Sequence, residues 1–189
     1  MISYLFETER LRVRPFHTED AKRLYEIHAE DAVKKWIPND CYADLEEAEE
    51  AIEFFTDCVR RGKLPFVLAA ELKATGELIG DTGVNEVDGN PNEVEIGYVI
   101  SEKHSGKSYA SELVGAMTDD AVSRFGISVL YGCVMRGNAS SVRVLEKNGY
   151  TFDREELGAE DDPYGNGMLV YRKEYKNAPA NEEAENERS

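Results

Sequence analysis

The residues best suited to hold a ligand form a run of small side chains at Ser105-Gly106-Lys107-Ser108. A helix is predicted directly after this run, because apolar residues then recur at spacings of three and four up to Phe125. The first turn of a helix leaves backbone N–H groups unpaired and carries partial positive charge, which together favour a phosphate. Gly106 can adopt a positive φ angle, and Ser108 is small enough to let a ligand approach the backbone. The residue types alone fit both a phosphate site and an ordinary strand-to-helix connection.

A strand is predicted directly before this run, over residues 93–100. Apolar and polar residues alternate there, and successive side chains of a strand point to opposite faces. The apolar face carries Val94, Ile96, Tyr98 and Ile100, and the other face carries Glu93, Glu95 and Gly97. The candidate ligand loop therefore lies between a strand and a helix.

The rest of the chain predicts an α+β fold in the order β-α-α-β-β-β-α-β-α-β-β, because runs of adjacent strands are mixed with helices. Further strands are expected at residues 10–15, 65–72, 77–85, 128–135, 150–156 and 168–175. Further helices are expected between Thr18 and Trp36, between Asp44 and Gly62, and between Asn138 and Gly149. Asp44 and either Asn138 or Ser140 are the expected N-caps, and the glycines are the expected helix stops. Residues 161–167 are expected to form a flexible loop.

The size and charge of the chain restrict the classes of function. Its 189 residues suffice for one domain, predicted at 1–176, followed by an acidic tail at 177–189 that is expected to be disordered. The formal charge is −16, from 38 acidic and 22 basic residues, which argues against nucleic acid as a partner. A cationic partner such as an amine is compatible with this charge, and so is a simple role in solubility.

The sequence lacks the patterns that would indicate a membrane, a metal or a disulfide. No stretch reaches the roughly 18 apolar residues of a membrane span, and the N-terminus does not resemble a signal peptide. The histidines and cysteines show no spacing typical of metal ligands or of a disulfide framework: His17, His28, His104, Cys41, Cys58 and Cys133. We therefore expect no metal, no membrane association and a reduced cytoplasmic setting.

Four segments, at residues 9–21, 76–80, 95–110 and 138–150, occur in an order and spacing typical of one family. They resemble the GCN5-related N-acetyltransferases (GNAT), and within them the RimJ/RimL-type branch that acetylates ribosomal-protein N-termini. The resemblance covers nearly the whole domain. It implies a mixed, mostly antiparallel sheet of six to seven strands, with a splay between the two central strands and helices on both faces.

The cofactor loop departs from the family pattern, which is Gln or Arg, two residues, Gly, one residue, and Gly or Ala. Ser105, Ser108 and Ala110 occupy these positions, so two of the three differ. At Ser108 a side chain replaces glycine where the backbone must approach the pyrophosphate, although its hydroxyl could donate to a phosphate oxygen. This departure bears on cofactor affinity rather than on the fold.

The resemblance implies an enzyme that transfers an acetyl group from acetyl-CoA, as co-substrate, to a primary amine. The amine would belong to a protein N-terminus or a small molecule and would attack directly in a ternary complex, with the protein a monomer or homodimer. The pantetheine arm would lie in the splay, and an N–H near Val99 would stabilise the oxyanion. The implied cofactor-binding residues are Tyr98, Val99, Ile100, Ser105, Gly106, Lys107, Ser108, Tyr109, Ala110 and Asn138.

Glu95 is the candidate general base that the resemblance implies. The attacking amine must be neutral, and its reference pKa is near ~10.4 for lysine and ~8 for an α-amino group. Glu95 precedes the splay and would accept the proton directly or through a water. The alternative is a strand carboxylate paired with solvent or a neighbour, and Glu93 and Glu86 are rival bases.

Ser141 is the candidate acid for the leaving thiolate. Many relatives use a tyrosine in the second cofactor helix, but Leu145 occupies that position here. Ser141 matches the serine of an Asn-x-x-Ser pattern, although it could equally be a plain helix-start serine. Cys133 lies within a strand, so no acetyl-enzyme is expected.

Trp36 is the candidate acceptor-binding residue, because this region covers the acceptor site in the family; ordinary core packing is the alternative. The departures at Ser105, Ser108 and Leu145 also leave open a catalytically impaired acyl-CoA-binding module of the same fold.

Overall fold

The computed structural model describes residues 4–87, 89–157 and 167–175 and confirms the α+β class. The strands are β1 (Phe6–Glu7), β2 (Leu11–Arg14), β3 (Phe66–Leu72), β4 (Leu78–Val87), β5 (Asn90–Ile100), β6 (Val129–Met135), β7 (Thr151–Glu156) and β8 (Met168–Glu174). The α-helices are α1 (Ala21–His28), α2 (Asp31–Lys34), α3 (Leu45–Arg61), α4 (Tyr109–Phe125) and α5 (Ala139–Lys147). The predicted tail, and the predicted 161–167 loop apart from Gly167, lie outside the described residues.

The described strands form one mixed sheet in the order β1-β2-β3-β4-β5-β6-β8-β7. Neighbouring strands are antiparallel except β5 and β6, which are parallel. The sheet has eight strands rather than the expected six to seven, because the two-residue strand β1 adds to one edge. The strand β1 is too short to give a periodic pattern in the sequence. The helix expected between Thr18 and Trp36 is divided into α1 and α2, because the backbone is extended at Glu30.

The helix ends follow the predicted caps. The Asp44 carboxylate accepts a hydrogen bond from the Glu47 amide at 3.0 Å, and Gly62 ends the same helix with φ of 62°. Between the two candidate caps of α5, Asn138 is the one used, because its side-chain oxygen accepts from the Ser141 amide at 3.2 Å. Gly149 follows this helix with φ of 80°.

Helices pack on both faces of the sheet. Helices α1 and α3 cover one face, where Leu24, Ile27 and Ile52 are buried. Helix α4 covers the other face, where Leu113 and Met117 are fully buried. Burial of a side chain of this size contributes roughly 1.5–3 kcal/mol, so the central strands are held firmly between two apolar layers. No helix among the described residues is long and apolar enough to cross a membrane.

The two central strands part after three residue pairs. Strands β5 and β6 pair at Glu93↔Val129, Val94↔Leu130 and Glu95↔Tyr131. Beyond these pairs, β5 stays bound to β4 as far as Ile100, and β6 stays bound to β8 as far as Met135. A V-shaped gap therefore opens between β5 and β6, as the predicted splay requires.

Candidate active site

A cleft of about 980 Å³ occupies the gap between β5 and β6. Its walls are the ends of both strands, the loop before α4, the first turns of α4 and α5, and the segment after α2. All of the predicted site residues line the cleft except Lys107. The fold therefore gathers residues as distant in the chain as Trp36 and Ser141 around one space.

The loop before α4 adopts the conformation of a glycine-rich turn even though Ser108 replaces glycine. Gly106 has φ of 71° and Ser108 has φ of 65°, and Ser108 is the single non-glycine residue with positive φ among those described. An L-residue in this region costs roughly 1–2 kcal/mol, because its Cβ crowds the following carbonyl. The exposed Ser108 side chain lies at the wall of the cleft and leaves the space open. The serine is accommodated by local strain rather than by a different turn.

The same loop presents backbone amides to the cleft. The Ser105 amide is used internally, since it donates to the Glu102 carbonyl at 3.0 Å. The Gly106, Lys107 and Tyr109 amides find no acceptor in the part of the chain that the structure describes. Unpaired amides at the start of a helix favour an anion, so the anion site expected at the start of the 17-residue helix α4 is compatible with this geometry. The Lys107 side chain lies outside the cleft, because its ammonium donates to the Lys103 carbonyl at 3.2 Å.

Arg10, directly before β2, holds this loop through its guanidinium group. Its guanidinium donates to the Lys107 carbonyl at 3.0 Å and lies over the Tyr109 ring at 4.4 Å. Glu112 accepts from the Arg10 backbone and guanidinium, both at 2.8 Å. Although burial opposes it, hydrogen bonds from Thr8 and Arg10 lower the pKa of the Glu112 carboxyl. Sequence reasoning missed this anchor, because Arg10 and Glu112 are 102 residues apart.

The β5 amides that face the gap can be identified from the strand register. The Ser101 amide donates to the Ile79 carbonyl at 2.8 Å, so it points towards β4. Alternate residues of an antiparallel strand share a side, and the Val99 amide therefore also points towards β4. The amides of Tyr98 and Ile100 point into the gap. The oxyanion donor expected near Val99 stays a prediction, and the Tyr98 and Ile100 amides are the candidates that this register leaves for it; the Val99 side chain lines the cleft.

Glu95 lies at the point where the strands part. It is the last residue of β5 that pairs with β6, and its side chain lines the cleft. Burial raises the pKa of its carboxyl, a hydrogen bond from Cys133 opposes this, and the nearby charge of Asp40 adds to the rise. The rival bases are less well placed, because neither Glu93 nor Glu86 lines the cleft.

Cys133 lies beside Glu95 on the β6 wall of the cleft. Burial and the Glu95 carboxylate raise the pKa of its thiol to about 12. A thiol with such a pKa is protonated at neutral pH and is a poor nucleophile. The absence of an acetyl-enzyme stays a prediction.

Ser141 sits in the first turn of α5, where the Asn138 cap holds its amide. Its Oγ is 2.6 Å from the phenolic oxygen of Tyr98, which comes from β5 across the gap. Burial raises the pKa of Tyr98 to about 12. Leu145, at the family's tyrosine position, is fully buried in the core. Sequence reasoning predicted Tyr98 as a cofactor residue but gave no role to its hydroxyl.

The segment after α2 forms the wall of the cleft at which the acceptor is expected (the acceptor wall), with Trp36 half-buried and Asp40 near Glu95. His28 supports this segment from below: its Nδ1 is 2.6 Å from the Asp40 carbonyl and its Nε2 is 2.9 Å from the Asp81 carboxylate. Although burial opposes protonation, the Asp81 charge raises the pKa of His28. Sequence reasoning found Trp36 in this wall but not His28, whose partner Asp81 is 53 residues away.

Two cations on α5 also border the cleft. Arg143 and Lys147 lie one helical turn apart, and both side chains are exposed. Among the residues that the structure describes, no carboxylate forms an ion pair with either one. They were missed because exposed basic residues on a helix look like an ordinary solvated face.

The fold, with its two parted central strands, is that of an acyltransferase. The family model described as "acetyltransferase (GNAT) domain" matches residues 10–151, which is most of the chain. The chain therefore belongs to the GNAT family of acetyltransferases, and the resemblance inferred from its sequence is confirmed.

Similar proteins agree with this assignment. A Bacillus licheniformis protein named uncharacterized N-acetyltransferase p20 is 29% identical over 150 residues, covering 79% of this chain and 83% of that protein. An acetyltransferase structure from Agrobacterium tumefaciens is 28% identical with a TM-score of 0.71, covering 93% of this chain and 96% of the other. RimL, a ribosomal alpha-N-protein acetyltransferase solved in complex with coenzyme A, shares the fold with a TM-score of 0.75 at 15% identity, covering 91% and 98%.

Proposed function

We propose that this acetyltransferase uses acetyl-CoA and transfers its acetyl group to a primary amine by direct attack in a ternary complex. The observation that carries the proposal is the parting of β5 and β6 with Glu95 at the last paired position. A thioester held between the parted strands would lie next to a carboxyl group that can accept a proton.

The residues around the cleft suit acetyl-CoA in three respects. The Tyr98 and Ile100 amides on the edge of β5 can bond the pantetheine arm as an added strand would. The loop amides at the start of α4 can bind the pyrophosphate. Arg143 and Lys147 place positive charge where a further phosphate can reach it. The coenzyme supplies an activated acetyl group, and the neighbour RimL was solved with coenzyme A.

Glu95 would accept the proton of the amine as the new C–N bond forms. Its raised pKa makes the carboxylate a stronger base than an exposed glutamate, which brings it closer to the working pH. The Tyr98 or Ile100 amide would donate to the oxygen on which negative charge develops. As the C–S bond breaks, the Ser141 hydroxyl would donate to the departing sulfur.

The acceptor wall favours a positively charged amine over a neutral or anionic substrate. Asp40 and Glu95 carry carboxyl groups near each other, whereas Arg143 and Lys147 lie on α5. The Lys35 ammonium lies over the Trp36 ring at 4.6 Å, which leaves one face of the ring for a second cation. Such a face attracts an ammonium group by roughly 0.5–1 kcal/mol at an exposed site. We therefore expect the acceptor among protein N-termini, polyamines and aminoglycosides.

The experiment is to measure CoA release from acetyl-CoA with a panel of peptides, polyamines, aminoglycosides and amino acids. We expect turnover with at least one amine and a product whose mass is increased by one acetyl group. Tight binding of acetyl-CoA without turnover on any amine would instead favour a catalytically impaired acyl-CoA-binding module.

A further inference from the structure

The cleft contains a short hydrogen bond that links its two walls. The phenolic oxygen of Tyr98, on β5, is 2.6 Å from Ser141 Oγ, on α5. Both side chains line the cleft. A distance of 2.6 Å is at the short end for an O–H···O bond, so the two hydroxyl groups are held in a defined orientation.

The phenol is the better donor of the two hydroxyl groups. A tyrosine hydroxyl has an ordinary pKa near ~10, and a serine alcohol is a far weaker acid. The other acceptor near the Tyr98 hydroxyl is the Ser141 carbonyl, at 3.5 Å, which is too far for a good bond. When Tyr98 donates to Ser141 Oγ, the Ser141 proton remains available for a group in the cleft. An accepted hydrogen bond also strengthens a hydroxyl as a donor.

We propose that Tyr98 is a positioning residue, whose hydroxyl aims the Ser141 proton at the sulfur of the departing CoA thiolate. The assignment rests on the proposed function, because it needs a thioester in the cleft. Many relatives have a tyrosine at the Leu145 position. Here the phenol comes from Tyr98 on β5 and acts through Ser141. It does not touch the sulfur itself.

The weak acidity of the phenol explains why Tyr98 orients the Ser141 hydroxyl and does not itself protonate the thiolate. Burial raises the pKa of Tyr98 to about 12, whereas a CoA-like thiol has a pKa near ~8.5 by analogy with cysteine. Complete transfer from the phenol to the thiolate is therefore unfavourable by roughly 10³-fold. The thiolate is stabilised by the Ser141 hydrogen bond while the C–S bond breaks, and it takes up its proton from solvent after release.

The test compares Tyr98→Phe, Ser141→Ala and the double variant in the CoA-release assay. We expect each single variant to lower kcat by about 10-fold or more, with the KM for acetyl-CoA within about twofold of wild type. Because Tyr98 acts through Ser141, the double variant should be no slower than Ser141→Ala alone. Tyr131→Phe is the matched control, since its hydroxyl bonds Glu93 at 3.0 Å outside the cleft lining and should leave kcat unchanged.

Each other result overturns the assignment. Full activity of Tyr98→Phe in an active enzyme removes the role of its hydroxyl but leaves the proposed function standing. Multiplicative losses in the double variant would mean that the two groups act independently. A Tyr98→Phe protein that does not fold would make the hydroxyl structural. A wild-type protein that releases no CoA with any amine overturns the proposed function and this inference together.

Discussion

The two ends of the cleft differ in whether backbone or side-chain groups line them. At the end proposed for acetyl-CoA, the donor end, the surface is mostly backbone: the β5 edge, the loop at 105–108 and the first turn of α4. At the end proposed for the amine, the acceptor end, it is mostly side chains, from Trp36 and Asp40 to Glu95. A backbone surface tolerates sequence change, which is why Ser108 can replace a glycine and keep the turn. A side-chain surface changes with every substitution, so the choice of acceptor is free to vary while the donor stays the same.

The largest effect is expected from Glu95→Gln, which keeps the shape of the acceptor end and removes its proposed base. We expect kcat to fall by roughly 10²–10⁴-fold, because proton transfer from the amine is lost. In wild type, kcat/KM should rise with pH through the Glu95 pKa, which lies above the ordinary glutamate range, since the base must be deprotonated. The acid limb of the pH profile should disappear in the variant.

The control is Glu93→Gln, which changes the next carboxylate on the same strand face. It bonds Tyr131 and does not line the cleft, so its kcat should match wild type. Loss of activity in Glu93→Gln with full activity in Glu95→Gln would move the base to the rival residue.

At the donor end, Arg10→Met should release the loop at 105–108. It removes the guanidinium bonds to the Lys107 carbonyl and to the Glu112 carboxylate, and the contact with the Tyr109 ring. Together these interactions are worth roughly 1–2 kcal/mol, so we expect the KM for acetyl-CoA to rise about 10-fold with little change in the KM for the amine. Arg12→Met is the control, because that side chain faces Glu7 and Tyr4 instead. An equal rise in both KM values would mean that the two ends are not independent.

At the acceptor end, Trp36→Ala should have the mirror-image effect. Loss of an aromatic face for the ammonium group should raise the KM for the amine by roughly 2–5-fold and leave the KM for acetyl-CoA unchanged. Trp36→Phe should recover part of the loss. Steady-state kinetics with each substrate varied in turn would make the distinction, and unfolding of the alanine variant without catalytic change would mark Trp36 as core.

The smallest expected effect is a gain in stability from Ser108→Gly. Relief of the left-handed strain is worth roughly 1–2 kcal/mol, and the added freedom of glycine in the unfolded chain costs roughly 0.5–1 kcal/mol. The net gain is roughly 0–1.5 kcal/mol, and each 1 kcal/mol should raise Tm by about 2–4 °C. Ser105→Gly is the matched control, because Ser105 has φ of −66° and should only lose stability. A lower Tm for Ser108→Gly would show that the serine side chain makes a compensating contact.

The parts of the site that the sequence predicted are the local ones. The loop at 105–108 and the Asn138 cap depend on neighbouring residues, and alternation along residues 93–100 placed Glu95 on its face. The Tyr98–Ser141 bond and the His28–Asp81 pair join residues 43 and 53 positions apart, and no local pattern encodes such distances. The sequence did not predict which amides near Val99 face the gap, because the direction of an amide depends on strand register, which is set by partners elsewhere in the sheet.

The three-rung contact between β5 and β6 also has a mechanical consequence. Within the described sheet, strands β1–β5 and strands β6–β8 are joined only by these three pairs. Beyond them, the two halves of the sheet are free to move relative to each other. A pantetheine chain bonded along the open edge of β5 would bridge the two halves of the sheet and restrict their relative motion. Binding of acetyl-CoA should therefore slow hydrogen exchange of the β6 amides that border the gap. The sheet would be most rigid when acetyl-CoA is bound.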